Sequence, residues 1–353
     1  MLEFFRQNKE RTNKVLQDYL EQKKASFAGT PAWGEDVLNR LMPFVANGKM
    51  LRSGLVLLAH QAFAGQARSA ALQTGAAMEL LQSSFLIHDD IMDRDLLRRG
   101  EKTINQQYLE MARREGLPAV EHFGNAMAVC AGDIAFFLAF ELLNDLPVDG
   151  AIRQAVTSLA LRETAKVGVG QMQDLYFGFQ AEPPSEEEII QVFLCKTAAY
   201  TFILPLLAGA MLAGRQENEL AEWRKFGETM GVMFQVRDDD LGMFGEQKQT
   251  GKPVGADIRQ SKKTLYFLYL SQAGSDAERR RLRTIFGNPD IEDRDVEWVR
   301  ERIVAHGIRS RLRQKIEQLA AQARRQLQNL QVPAESYRKI LEETIDYSLS
   351  RNR

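Results

Sequence analysis

The sequence predicts an all-α fold, and three observations carry that prediction. Apolar residues recur at three- and four-residue spacing along nearly the whole chain. Period-two alternation is almost absent. Breakers fall at helix-length intervals: Gly29 to Pro31, Gly65, Pro147 to Gly150, Pro183-Pro184 and the glycine-rich run 242–255. The spacing predicts helices over 3–26, 32–46, 51–64, 68–93, 103–115, 119–144, 150–174, 185–196, 197–214, 217–241, 262–272, 275–287, 291–305, 308–330 and 333–350. Ser185 followed by Glu188 reads as a capping box at the start of one of them. With no fixed repeat and no low-complexity linker, residues 1–353 read as a single domain. Its central helices should be apolar on most faces.

Bulk properties narrow the function by exclusion. Hydrophobic residues are 44% and charged residues 26%, a globular balance. A formal net charge of −1 gives no global attraction for nucleic acid, so any anion attraction must be local. Cys130 and Cys195 sit in apolar runs without C-x-x-C spacing, which predicts two buried free thiols and a reducing, cytoplasmic setting. The start, MLEFFRQNKERTNK, lacks the apolar core of a signal peptide. Residues 197–214 carry no charge and reach the lower length limit for a bilayer span. Pro205, two glycines, several hydroxyls and the lack of a second such segment favour a buried central helix and no membrane span.

The first chemical signal is HDDIMDRD at 88–95. Asp89 and Asp93 are four apart on a long helix, so their carboxylates share a face, with Asp90 about 100° round. Like charges at this spacing cost a helix roughly a few tenths of a kcal/mol, which calls for a positive partner. Mg²⁺ fits, because it takes one or two carboxylates together with substrate phosphates. The apolar flank ELLQSSFLI argues against a merely solvated acidic face. Arg98 and Arg99 in LLRRG follow closely, and guanidinium suits phosphate oxygens.

The second signal is FQVRDDDLGMFGEQKQTGKPVGADIRQSKK at 234–263. Asp238, Asp239 and Asp240 again follow an apolar helical segment, and Gln235 lies three residues before Asp238. Lys248, Lys252, Lys262 and Lys263 lie in or after the glycine-rich loop, whose spacing is not that of a Walker A loop. Such a loop either folds over a phosphate or is a solvated surface loop. Two acidic helix ends facing each other across a helical core would hold metal ions between them.

Other groups carry less. Lys49 and Arg52 in NGKMLRSG suit an anion site at a helix start, or a solvated helix end. Lys196-Thr197 at an uncharged helix, and Gln171 and Asp174 within an apolar one, suggest a polar cavity. Asp133 is expected to be buried and paired, and His88 to be structural. No metal-ligand spacing of histidines and no G-x-S-x-G or Cys/His nucleophile pattern is present.

Together these residues resemble the trans-isoprenyl diphosphate synthase, or polyprenyl synthetase, family, which includes farnesyl and geranylgeranyl diphosphate synthases. DDIMD at 89–93 resembles its first aspartate-rich motif and FQVRDDDLG at 234–242 its second, with GKMLR, LLRRG, KT, GQMQD and TGKPVGADI in family order. The resemblance implies an antiparallel helical bundle around a deep central cavity (the isoprenoid synthase fold), usually as a homodimer. It implies head-to-tail condensation of isopentenyl diphosphate with an allylic diphosphate, with about three Mg²⁺ per site. Asp89 and Asp93 would hold two ions and Asp238 a third. Arg98, Lys196 and Lys252 would bind the allylic diphosphate. Lys49, Arg52, Gln82 and Arg99 would bind isopentenyl diphosphate. Thr197 and Gln235 would stabilise the developing cation.

Three positions depart from the pattern. Gly242 stands where many members carry the last aspartate of the second motif, Asp240 where an apolar residue is usual, and Met50 where a basic one is. Gly242 would weaken the third metal site, while Asp240 would compensate or face water. For product length, small Ser84 and large Phe85 lie five and four residues before Asp89. One helical turn rises about 5.4 Å, near the length of one isoprene unit. A C20 product, geranylgeranyl diphosphate, is expected, limited by Leu81 and Phe85, with C15 or a longer chain as alternatives. The basic tail, with Arg351 and Arg353, either closes over isopentenyl diphosphate or is an ordinary terminus. A terpene cyclase and a non-catalytic subunit of a two-chain synthase are the rival readings.

Overall fold

The computed structural model describes residues 1–27, 29–245 and 255–350, and the described residues are helical almost throughout. In chain order the elements are α1 (Leu2–Ser26), α2 (Trp33–Ala46), α3 (Leu51–Ala62), α4 (Arg68–Met92), a two-residue hairpin β1 (Leu97–Arg98) and β2 (Glu101–Lys102), α5 (Ile104–Arg114), α6 (Val120–Asn144) and α7 (Gly150–Phe179). Then follow α8 (Glu186–Val192), a π-helical stretch (Phe193–Ile203), α9 (Leu204–Leu212), a 3₁₀ turn (Glu217–Glu219) and α10 (Ala221–Phe244). The chain continues through α11 (Ala256–Arg259), α12 (Leu265–Ala273), α13 (Asp276–Ile285), α14 (Asp293–Ala305), α15 (Ile308–Asn329) and α16 (Glu335–Ser350). The all-α expectation holds, and the Ser185/Glu188 capping box is formed.

Two compact units can be distinguished. One comprises Met1–Leu159 with Pro205–Glu219, the other Ala160–Leu204 with Leu220–Arg353. In the first, α4 packs against α3 and α6, and α5 against α6. Every residue of α3 from Arg52 to His60 is buried, as expected of a central helix. In the second, α10 packs against the π-helical stretch and α15. The buried stripe of α15, Ile308, Leu312, Ile316, Ala320, Ala323 and Leu327, keeps the three- and four-residue spacing visible in the sequence.

Several boundaries differ from expectation. The predicted break between 196 and 197 does not exist. Helix runs from Glu186 to Leu212, with a π register at Phe193–Ile203. The stretch ends two residues before Pro205, whose ring would clash with the carbonyl four residues back in a regular α-helix. α10 starts later than predicted, at Ala221, and runs past Gly242 to Phe244, since one glycine lowers helix propensity without ending a helix. The hairpin was not foreseen. Arg99 and Gly100 both have positive φ, 55° and 83°, which suits a two-residue type I′ turn.

Burial bears out one further expectation and corrects two others. From Thr197 to Leu212 every residue but Tyr200 is buried, so this apolar run is a core helix. A second helix, Val120–Asn144, is also long and apolar enough to cross a membrane, by length and composition alone. Cys130 is exposed and Cys195 half-buried, and both are free thiols rather than buried ones. Asp133 is exposed, 3.3 Å from His88 Nε2. An apolar run shows that a segment meets the core, but not which way one side chain points.

His60 is buried with neither ring nitrogen hydrogen-bonded. Burial lowers its pKa from 6.5. The unfolded chain therefore binds that proton first, and folded stability falls as pH drops below about 6.5. One such group contributes a slope of at most about 1.4 kcal/mol per pH unit. Urea unfolding at pH 7.5 and 5.5 should show a smaller loss of stability in His60→Leu than in the native chain. Equal losses would exclude His60 as the acid-sensitive group.

Candidate functional site

Each unit carries one acidic helix end with basic groups around it. In the first unit, α4 ends at Met92, so Asp89 and Asp90 lie in its last turn and Asp93 is its C-cap. Carboxylates there meet the negative end of the helix dipole, which raises the demand for cations. Asp90 is met internally: it is 1% exposed and accepts from Arg98 Nε at 2.6 Å. Arg98 also reaches Asp95, at 3.3 Å. The hairpin thus folds the arginine back onto the helix end that precedes it. A guanidinium carries five donors, so this clamp leaves capacity for phosphate oxygens. Asp89 and Asp93 are only half-buried.

On the same unit, Arg52 donates to Gln82 Oε1. Arg99 reaches Phe44 O at 3.3 Å, and its guanidinium lies about 3.4 Å from where a Cβ on Gly48 would be. Lys49 is exposed, beside Met50 in the left-handed region at φ 53°. Four residues expected to act together therefore divide into a bonded pair, Arg52–Gln82, and two neighbours near the α3 start. The backbone at that start is already occupied. Glu79 of α4, 3% exposed, accepts from Ser53 N at 3.0 Å, capping α3 with a buried carboxylate. Burial raises the Glu79 pKa, while Arg52 and Arg99 oppose that rise. Glu79 escaped the sequence reading because it sits in an apolar flank. A charged residue at a core-facing position was the available signal.

Upstream of Asp89, Leu81 and Ser84 are fully enclosed, while Phe85 is half-buried and meets Phe136 of α6 edge-on at 6.5 Å between ring centres. Phe136 in turn packs on Phe140 at 4.9 Å. This aromatic group on α6 was not anticipated. The spacing of phenylalanines on α6 shows it only once its partner helix is known.

In the second unit, close helix approach builds the site. A Cβ on Gly170 of α7 would lie 2.9 Å from Lys196 N, and one on Gly231 of α10 would lie 2.3 Å from Ala198 Cβ. Both helices can therefore press against the π-helical stretch that carries Lys196 and Thr197. Lys196 Nζ pairs with Asp174 at 2.7 Å. Thr197 Oγ1 donates to Gln235 Oε1 at 2.6 Å, and Gln235 Nε2 donates to Asp239 Oδ1 at 2.8 Å. Asp239 is 7% exposed, and its Oδ2 has no hydrogen-bond partner. Burial raises its pKa well above the usual 3.8, and the carboxylates of Asp257, Asp238 and Asp174 push it further, against the Gln235 hydrogen bond. A buried carboxylate oxygen with no donor, among three other carboxylates, matches the oxygen-rich chemistry that a divalent cation takes. Among the described residues, no three carboxylate, histidine or thiol groups are already gathered in ligand geometry. Lys252 and Lys248 lie outside the described residues, as do Arg351 and Arg353.

Asp240 neither joins this group nor faces water. It is 3% exposed and accepts from Tyr266 Oη at 2.7 Å, Arg237 at 2.8 Å and Arg309 at 3.3 Å. Arg309 also stacks over Phe244, 3.7 Å from the ring centre. The third aspartate of the run thus ties α10 to α12 and α15. Consecutive helix positions point about 100° apart, so Asp238, Asp239 and Asp240 meet different surroundings.

Comparison with known proteins agrees with the motifs. Residues 35–303 match the polyprenyl synthetase family profile. A geranylgeranyl diphosphate synthase of Saccharolobus solfataricus is 32% identical over 267 residues, 75% of either chain. A short chain isoprenyl diphosphate synthase of Methanothermobacter thermautotrophicus is 33% identical over 245 residues, 69% of this chain and 70% of that one. The crystal structure of geranylgeranyl pyrophosphate synthase from Corynebacterium glutamicum, complexed with isoprenyl diphosphate and magnesium, superposes with a TM-score of 0.90 at 30% identity. That match covers 99% of this chain and 98% of the other.

Replacing Asp240 by leucine would leave Arg237, Arg309 and Tyr266 without their shared acceptor. Removing one partner of a buried charge network costs about 3–5 kcal/mol. Urea denaturation should show a loss of that order, and an unchanged midpoint would mean the network contributes nothing.

Proposed function

The chain belongs to the polyprenyl synthetase family of trans-prenyltransferases, and from that premise we propose that it condenses isopentenyl diphosphate with allylic diphosphates up to C20, geranylgeranyl diphosphate. The carrying observation is the line Thr197–Gln235–Asp239, which ends in a buried carboxylate oxygen without a donor. Such a group suits a site where a cation and a diphosphate are bound together. The two compact units are read as parts of one polyprenyl synthetase domain, a reading supported by a family match that runs through both. A homodimer working in the cytoplasm completes the proposal.

Divalent metal use comes with the family, and the carboxylates present fit it. Asp89 and Asp93 would hold two ions and Asp238 a third. The bound metal stabilises negative charge on the departing diphosphate. The chain's own residues do the rest. Arg98 and Lys196 leave Asp90 and Asp174 in part, or share their donors, to bind the allylic diphosphate, with Lys252 as a third cation. Lys49, Arg52, Gln82 and Arg99 hold isopentenyl diphosphate, with Glu79 fixing the α3 start from which Arg52 projects. The dipoles of the Thr197 hydroxyl and the Gln235 amide face the developing allylic charge and stabilise it without reorganising. The isopentenyl double bond attacks that cation, and a proton leaves to the released diphosphate.

Product length is assigned to C20 because Ser84 is small where an aromatic residue would shorten the available path. Leu81 and Phe85, backed by Phe136, limit further growth. The geranylgeranyl assignment of the Saccharolobus and Corynebacterium relatives supports the same length.

The purified chain, incubated with dimethylallyl and labelled isopentenyl diphosphates and Mg²⁺, should yield mainly C20 diphosphate. A dominant C15 product would refute the length, and no product at all would refute the catalytic reading. Asp89→Asn should lower kcat by about 10²–10³-fold, the scale of losing one preorganised electrostatic group. Ser84→Phe should move the main product from C20 toward C15. An unchanged product would show that this turn of α4 does not set the length.

A further inference from the structure

We propose that Asp240 is a positioning residue: with Arg309 and Tyr266 it clamps the far side of α10 and so fixes the direction in which Gln235 and Asp238 face a bound diphosphate. The proposal rests on the function proposed above and concerns a side chain to which that function gives no part.

Consecutive helix positions turn by about 100°, so Asp238 and Asp240 point about 200° apart, nearly opposite. Asp238 is exposed, and Gln235, three residues earlier, lies on its side of the helix. Arg237, Asp240 and Phe244 follow i, i+3, i+7 spacing and share the other side. The groups assigned to chemistry and the groups bound to neighbouring helices therefore occupy opposite faces of α10.

On the far side four side chains close a ring. Asp240 accepts from Tyr266 Oη of α12 at 2.7 Å and from Arg309 Nε of α15 at 3.3 Å. The Arg309 guanidinium lies 3.7 Å from the centre of the Phe244 ring. Phe244 meets Tyr266 edge-on, with 5.6 Å between ring centres. Arg237 adds a further donor to Asp240 at 2.8 Å. Two members of the ring belong to α10 and lie four residues apart, so both ends of one helical turn are held. Apolar burial alone is non-directional, whereas hydrogen bonds to two other helices resist rotation of α10 about its axis.

A separate contact holds the same turn. Arg300 Nε of α14 donates to the Met243 carbonyl at 2.7 Å. That carbonyl is among the last four of α10, which lack partners within the helix. Three helices thus fix one turn. Misplacing a reacting group by about 1 Å can cost about 10²-fold in rate, so a small roll of α10 has a functional consequence.

The test titrates the whole chain by calorimetry with inorganic diphosphate and Mg²⁺, with KM for isopentenyl diphosphate and the urea midpoint measured in parallel. Asp240→Leu should weaken diphosphate binding about tenfold. KM for isopentenyl diphosphate should stay within about twofold, because the residues assigned to it belong to the other compact unit. Arg309→Met removes the charge but keeps a side chain over Phe244. It should weaken diphosphate binding in the same direction, and it carries the test if Asp240→Leu fails to fold. Asp240→Leu combined with Arg309→Met makes the ring apolar, which should restore most of the lost urea midpoint while diphosphate binding stays weak. Recovery of binding together with stability would make the network structural only and overturn the proposal. Native binding in both single variants, or equal losses for the two substrates, would overturn it too. A native chain that binds no diphosphate with Mg²⁺ would overturn the metal-dependent function as well, so the two failures are distinguishable.

Discussion

Carboxylates gathered at the C-terminal ends of helices are the constraint on which the rest of this structure depends. A helix end is already negative, and each added carboxylate makes it more so. α4 ends this way, and α10 carries its aspartate run just before its last turn, each within its own unit. Such clusters call for cations, and the surrounding chain provides some of them.

The protein's own cations are spent on particular carboxylates. On α4 the guanidinium of Arg98 takes Asp90 and Asp95. On α10 Arg237 and Arg309, with the Tyr266 hydroxyl, take Asp240. Those pairs are deeply placed, and they orient their helices. Asp239 is treated differently. It receives one amide hydrogen bond and retains an oxygen without a donor, and that asymmetry sets it apart from Asp240. Glu79 shows the same economy at a helix start, where a buried carboxylate meets exposed backbone donors.

Close backbone approach makes the second cluster possible. Gly170 and Gly231 let α7 and α10 press on the π-helical stretch, so that Lys196 meets Asp174 and Thr197 meets Gln235. The π register lies just ahead of Pro205, where a regular helix would clash with the proline ring. Lys196 and Thr197 are both carried on this irregular stretch.

The sequence by itself determined the helical class, most helix boundaries, the two aspartate-rich motifs and the family, because each rests on local spacing that a linear chain displays. It did not determine which aspartate in a run is structural, since Asp238, Asp239 and Asp240 look alike until their helical directions meet different neighbours. Nor did it reveal Glu79 as a helix cap, the exposure of Asp133 and Cys130, or the continuity of the helix through Lys196. The lack of an aspartate at 242 read as a defect in one dimension. Only the tertiary structure brings Asp257, fifteen residues further on, against that glycine, because burial and contact depend on distance in space and not along the chain.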